Sequence, residues 1–80
     1  NLTRADLGHV LFAYASMKGA NLSGARLTHA DLTGADLSGA DLTGTDFTDA
    51  DVDGANFADA KGFETIVGWA ATRNTARALR

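Results

Sequence analysis

Residues 30–44 read ADLTGADLSGADLTG, three near-copies of one five-letter phrase. An alanine, an acid and a leucine recurring at an interval of five need a chain geometry that can use that interval. Working outward in steps of five, the leucine place is held by Leu2, Leu7, Phe12, Met17, Leu22, Leu27, Leu32, Leu37, Leu42, Phe47, Val52 and Phe57. All are large and apolar, without exception. Two places before each stands a small residue, among them Ala5, Ala15, Ala25, Ala35 and Ala55, with Val10 and Thr45 as the departures. The phase holds from residue 1 to residue 60.

Neither ordinary secondary structure can exploit this spacing. Five helical steps of about 100° turn each leucine by roughly 140° from the last, which scatters the apolar side chains around the axis. A flat strand puts odd-spaced residues on opposite faces. The remaining solution is a chain that turns a corner every five residues, with the leucine and the small residue pointing inward along each side.

On these residues the chain resembles the pentapeptide-repeat family, whose motif is A-(D/N)-L-X-X, over residues 1–60. The resemblance implies an all-β fold, a right-handed quadrilateral parallel β-helix of about three coils with four pentapeptides in each. Central residues would then stack at intervals of twenty, giving columns such as Leu2–Leu22–Leu42 and Phe12–Leu32–Val52. Alanine fits where the corner brings two walls together. Asp, Asn, Ser and Thr in the outward places have short side chains that satisfy backbone groups at corners. The acids of the motif are therefore turn residues first.

After Ala60 the five-residue phase is lost, because Gly62 stands where a leucine is due. Phe63, Ile66, Val67 and Ala70 follow i, i+3, i+4, i+7, the spacing of one helical face. Glu64 and Thr65 suit a first turn, while Arg73, Arg77 and Arg80 suit a C-terminal one. Gly68 and Asn74 weaken that helix and allow it to break into two short pieces. A solenoid exposes an apolar cross-section at its end and needs a cover. The sequence thus divides into a repeat domain over 1–60 and a capping segment over 61–80, expected to be helical, with residues 63–80 laid across the last coil.

Composition removes several classes of function. The 80 residues are enough for one small domain. Ten Asp and Glu stand against seven Lys and Arg, which argues against direct nucleic-acid binding. There is no cysteine, hence no disulfide, thiolate nucleophile or cysteine-based zinc site. No apolar run approaches the roughly 20 residues of a membrane span, and no charged-then-apolar leader is visible. The start at Asn1 inside the repeat suggests a fragment or a trimmed mature form. The compartment is open, with the cytoplasm slightly favoured. Residues 1–60 carry nine acids against Arg4, Lys18 and Arg26, a net of −6, whereas residues 61–80 carry Glu64 against four cations, a net of +3.

Stacking by twenty assembles outward columns. His9, His29 and Asp49 form one, a conceivable ligand set for a zinc-like ion, though solvated turn residues are the better reading and no metal or other cofactor is expected. Asp6, Arg26 and Asp46 form an exposed ion-pair ladder. Leu11, Asp31 and Asp51 form a third, in which Leu11, with Ala13 and Tyr14 nearby, makes an apolar spot where polar residues are usual. That spot suits either a partner or an adjoining coil. Trp69 belongs to the tail, as cap packing or as an interface anchor. Catalytic residues are not expected: Ser16, Ser23 and Ser38 occupy outward repeat places, and a filled solenoid offers no cleft.

The expected function is a non-catalytic structural or protein-interaction module with flat faces. Its candidate interface residues are Leu11, Tyr14 and Trp69. The protein partner is unidentified, and homo-oligomers by end-to-end contact are compatible with the uncovered ends. The alternative implied by the resemblance is imitation of duplex DNA toward a type II topoisomerase, as in quinolone-resistance members of the family.

Overall fold

The computed structural model describes residues 1–79. Among these residues no continuous strand and no α-helix forms; the backbone is held by isolated parallel bridges. Asp6 bridges to Arg26, Leu11 to Asp31, Ser16 to Asp36 and Asn21 to Asp41, and the same places pair again one circuit lower. Each partner lies twenty residues on, so one circuit takes four sides of five residues.

Each side is tied to the next circuit in both directions. The Leu22 N–H donates to the Asp41 carbonyl at 2.9 Å, and the Asp41 N–H donates back to the Ala20 carbonyl at 2.9 Å. The corner closes locally, as where the Ala25 N–H donates to the Leu22 carbonyl at 2.9 Å. One residue per side must take a left-handed conformation to make that corner. Through residue 59 these are spaced by five, from Arg4 to Asp59, with φ between 59° and 70°.

The acid of the motif has a structural task at the same corner. Oδ1 of Asp31, Asp36, Asp41 and Asp46 accepts the backbone N–H two residues on, at 2.9–3.1 Å. The hydroxyls of Ser38, Thr43 and Thr48 donate to the same oxygens at 2.6–2.7 Å. Asn21 and Asn56 make the corresponding turns, because the turn needs an acceptor oxygen and not a charge.

Leu22, Leu27, Leu32, Leu37, Leu42, Phe47 and Val52 are fully buried, and Met17 and Phe57 nearly so. Each contributes about 1.5–3 kcal/mol by leaving water. Leu2, Leu7 and Phe12, in the first circuit, are half-buried and pack against that cluster. Thr45 stands in an alanine slot with no exposure, and its hydroxyl donates to the Leu22 carbonyl at 2.8 Å.

The tail differs from the helix expected over 63–80. In place of one amphipathic helix there are three single 3-10 turns, Phe63–Thr65, Trp69–Ala71 and Thr75–Arg77. Between them the bridges continue: Asp41 to Lys61, Asp46 to Val67, Asp51 to Arg73 and Asn56 to Leu79. The separations grow from 20 to 21, 22 and 23, so each side here holds six residues. Left-handed corners fall at Gly62, Gly68 and Asn74, six apart. The sixth residue is absorbed by the 3-10 turn, which needs i to i+3 bonds such as Thr65 N–H to the Gly62 carbonyl at 2.9 Å. The helical spacing of Phe63, Ile66 and Val67 arises because Phe63 and Ile66 pack on the core from successive sides, while Val67 is a bridge residue and 50% exposed. Arg80, assigned to the end of the expected helix, lies outside the described residues.

Candidate contact surface

His9 and His29 stack, ring centroids 4.8 Å apart and planes 2° from parallel. His29 Nε2 lies 3.6 Å from Asp49 Oδ2. All three residues occupy left-handed corners, a conformation that His and Asp tolerate better than most. Parallel stacked rings do not aim their lone pairs at a common point. Among the described residues no group of three His, Cys, Asp or Glu could hold a metal ion.

Of the expected ladder one rung closes: Arg26 Nη1 reaches Asp6 Oδ2 at 3.9 Å, with both side chains well exposed, whereas Asp46 is not within ion-pair distance of Arg26. Exposed pairs of this kind contribute about 0–1 kcal/mol. The carboxyl groups of Asp31, Asp41 and Asp46 are held below the ordinary carboxylate range, first by the hydroxyls of Thr33, Thr43 and Thr48 respectively. Ser38 does the same to Asp36. These acids stay ionised because the corner hydrogen bonds favour the charged form.

Trp69 is only partly exposed. Its ring meets Phe63 at 4.9 Å, Phe57 at 5.7 Å and Phe47 at 6.1 Å, all edge to face. Such pairs add about 0.5–1.5 kcal/mol beyond the area they bury. These rings cover the interior beneath Phe47 and Phe57, so Trp69 sits in packing.

Leu11 and Tyr14 are placed differently, at 81% and 79% exposure. Leu11 is the bridge residue of its side, with its partner Asp31 directly below. Tyr14 stands at the following corner with φ 62°. Its ring lies over the Gly34 backbone: a Cβ built on Gly34 would come within 2.6 Å of ring carbons Cδ1 and Cε1. The sequence signals the spot through Leu11. The seating of Tyr14 on a glycine twenty residues away became visible only once the columns were in place. Val67 and Leu79 are the other large apolar residues left outside, at 50% and 57%, and a helical reading of the tail hid both. No pocket opens among the described residues, and none of their helices is long and apolar enough to cross a membrane.

A chain that turns four corners per circuit and stacks its circuits through parallel bridges is a β-helical solenoid. The profile described as pentapeptide repeats matches residues 1–39 and 20–59, with eight copies. The chain belongs to the pentapeptide-repeat family. It is similar to the crystal structure of HetL, a pentapeptide-repeat protein involved in heterocyst differentiation regulation in the cyanobacterium Nostoc sp. strain PCC 7120. The two are 33% identical with a TM-score of 0.71, over 74% of this chain and 30% of HetL. It is similar also to alr5209, a pentapeptide-repeat protein from Nostoc PCC 7120, at 37% identity and a TM-score of 0.51, over 81% of this chain and 57% of that one. The chain thus spans less than a third of HetL and somewhat over half of alr5209. Family and neighbours make the fold a right-handed β-helix and the chain a repeat module. No curated protein matches it.

Proposed function

We propose that this chain is a non-catalytic module that acts through contacts on the outside of its solenoid, with Leu11 and Tyr14 as the principal contact. One observation carries the reading: the interior is filled and no pocket opens among the described residues, while these two large residues stand almost fully outside. Chemistry needs a concave, partly dry site; a flat face with an aromatic and a leucine suits a protein surface instead. The rings around Trp69 act as the cover of the interior at the last circuit. Copies also associate end to end; stacking on another solenoid, or a further circuit of repeats, would complete the burial of Leu2, Leu7 and Phe12.

Two measurements test this. Isopropanol titrated into 15N-labelled protein should shift the amide signals of Leu11 and Tyr14 more than those of the other faces; shifts spread evenly would sink the contact assignment. Light scattering should show a mass that rises above the monomer with protein concentration. A constant monomer mass removes the pairing of copies.

A further inference from the structure

The side that carries Leu11 changes character from one circuit to the next. Its bridge column runs Leu11, Asp31, Asp51, Arg73, and its corner column runs Tyr14, Gly34, Gly54. The top is apolar and the middle is acidic.

Three observations bear on what this side receives. Tyr14 holds a left-handed conformation at a corner where the next two circuits use glycine, which a non-glycine residue adopts only at a cost. Its ring is seated in space that exists because Gly34 has no side chain, so it is positioned before any partner arrives. Below it, Asp31 and Asp51 each have Oδ1 fixed on the backbone N–H two residues on. Neither has a cation within ion-pair distance among the described residues, whereas Asp53 is taken by Arg77 at 3.3 Å. Besides that backbone N–H, Asp51 meets the neutral amide of Asn74, at 2.8 Å.

Resting on the contact reading above, we infer that this side receives an extended segment of another protein in which an apolar residue is followed by Lys or Arg at alternate positions. The apolar side chain packs on Leu11 and Tyr14, and the cations meet Asp31 and Asp51. The spacing suits this occupant. Circuits are about 4.8 Å apart, and alternate residues of an extended chain about 6.6 Å apart, a difference that long cationic side chains absorb. A second copy fits worse, because a two-fold pairing of this side would set Asp31 and Asp51 of one copy against the same acids of the other.

The test uses 15N-labelled protein and three acetylated, amidated peptides, SLSRSRS, SLSESES and SSSRSRS. SLSRSRS should shift the amide signals of Ala13, Tyr14, Asp31, Thr33 and Gly34, and the effect should weaken with salt. The acidic peptide should bind at least tenfold more weakly, and the peptide without leucine should also lose affinity. The double variant Asp31→Asn, Asp51→Asn should weaken SLSRSRS about tenfold while keeping its fold, since Asn21 and Asn56 already serve the same turn. Equal binding of SLSESES at Leu11 and Tyr14 overturns the charge pairing but leaves the contact reading standing. No shift at these residues with SLSRSRS overturns the inference, and the isopropanol result then decides separately whether the contact reading goes with it.

Discussion

Replacing Gly68 by alanine should destabilise the protein well beyond the same change at Gly39. Both glycines are left-handed, at φ 78° and 68°, so each substitution meets the cost of a left-handed L-residue, about 1–2 kcal/mol. Each also recovers about 0.4–1 kcal/mol from a stiffer unfolded chain. At Gly39 nothing lies within 4 Å of the new Cβ, and a net loss near 1 kcal/mol is expected from those two terms. At Gly68 the Cβ would press on the Thr48 hydroxyl and come within 2.9 Å of Thr48 Cα and N. Thr48 cannot retreat easily, because its N–H and hydroxyl both hold Asp46 Oδ1, at 2.9 and 2.6 Å. The circuits must part instead, at the expense of bonds such as Phe47 N–H to the Val67 carbonyl at 2.9 Å. Overpacking of this kind costs about 1–3 kcal/mol, so Gly68→Ala should lose about 2–4 kcal/mol in all. Urea denaturation followed by circular dichroism keeps the readout independent of Trp69, the neighbour of the substituted residue. Equal midpoints for Gly39→Ala and Gly68→Ala would refute the close packing of the six-residue circuit against the one above it.

Two further outcomes are expected. Ser38→Ala removes the leading cause of the depressed Asp36 carboxyl, so its pKa should rise toward the ordinary carboxylate range in a carbon-detected NMR titration. Because that group is depressed in the folded state, its contribution to stability is full above the unfolded value near 3.9 and is lost as pH falls through the folded one; the variant should therefore lose less of its stability on acidification. An unmoved titration would show that the hydroxyl does not stabilise the charge. Thr45→Val keeps shape but deletes the hydroxyl on the Leu22 carbonyl. It should cost about 1 kcal/mol in the same denaturation assay, and a stabilised variant would mean the slot prefers an apolar side chain.

The repeat made the interior of residues 1–60 legible because one rule, large apolar residues every five, has a single geometric solution. The tail was harder for a physical reason. A six-residue side places its inward residues three apart, as at Phe63, Ile66 and Trp69, and three is also a helical spacing. The distinguishing signal was Gly62, Gly68 and Asn74, three residues suited to left-handed corners at intervals of six, which a helix has no use for. On the surface, Leu11 was conspicuous as an apolar residue in an acid's place. Tyr14 was less so, since its meaning depends on Gly34, and sequence proximity says nothing about a neighbour one circuit away. Trp69 was open to two readings by residue type, cap packing or an anchor; its contacts with Phe47, Phe57 and Phe63 depend on neighbours that sequence proximity does not reveal.

The columns also give the two surfaces of the wall separate rules of inheritance. Inserting twenty residues in phase returns every later side to its old heading, so the inner stack and the outer columns both survive. Inserting only five preserves the inner stack, since leucine still follows leucine, but swings everything downstream by a quarter turn. An insertion of that size between Tyr14 and Asp31 would take Gly34 from under the tyrosine and move Asp31 and Asp51 to another side of the solenoid. Selection for folding alone would not notice. A contact made through Leu11, Tyr14, Asp31 and Asp51 would be lost, so for the proposed surface the change in length that keeps both faces of the wall is the full circuit, not the single repeat.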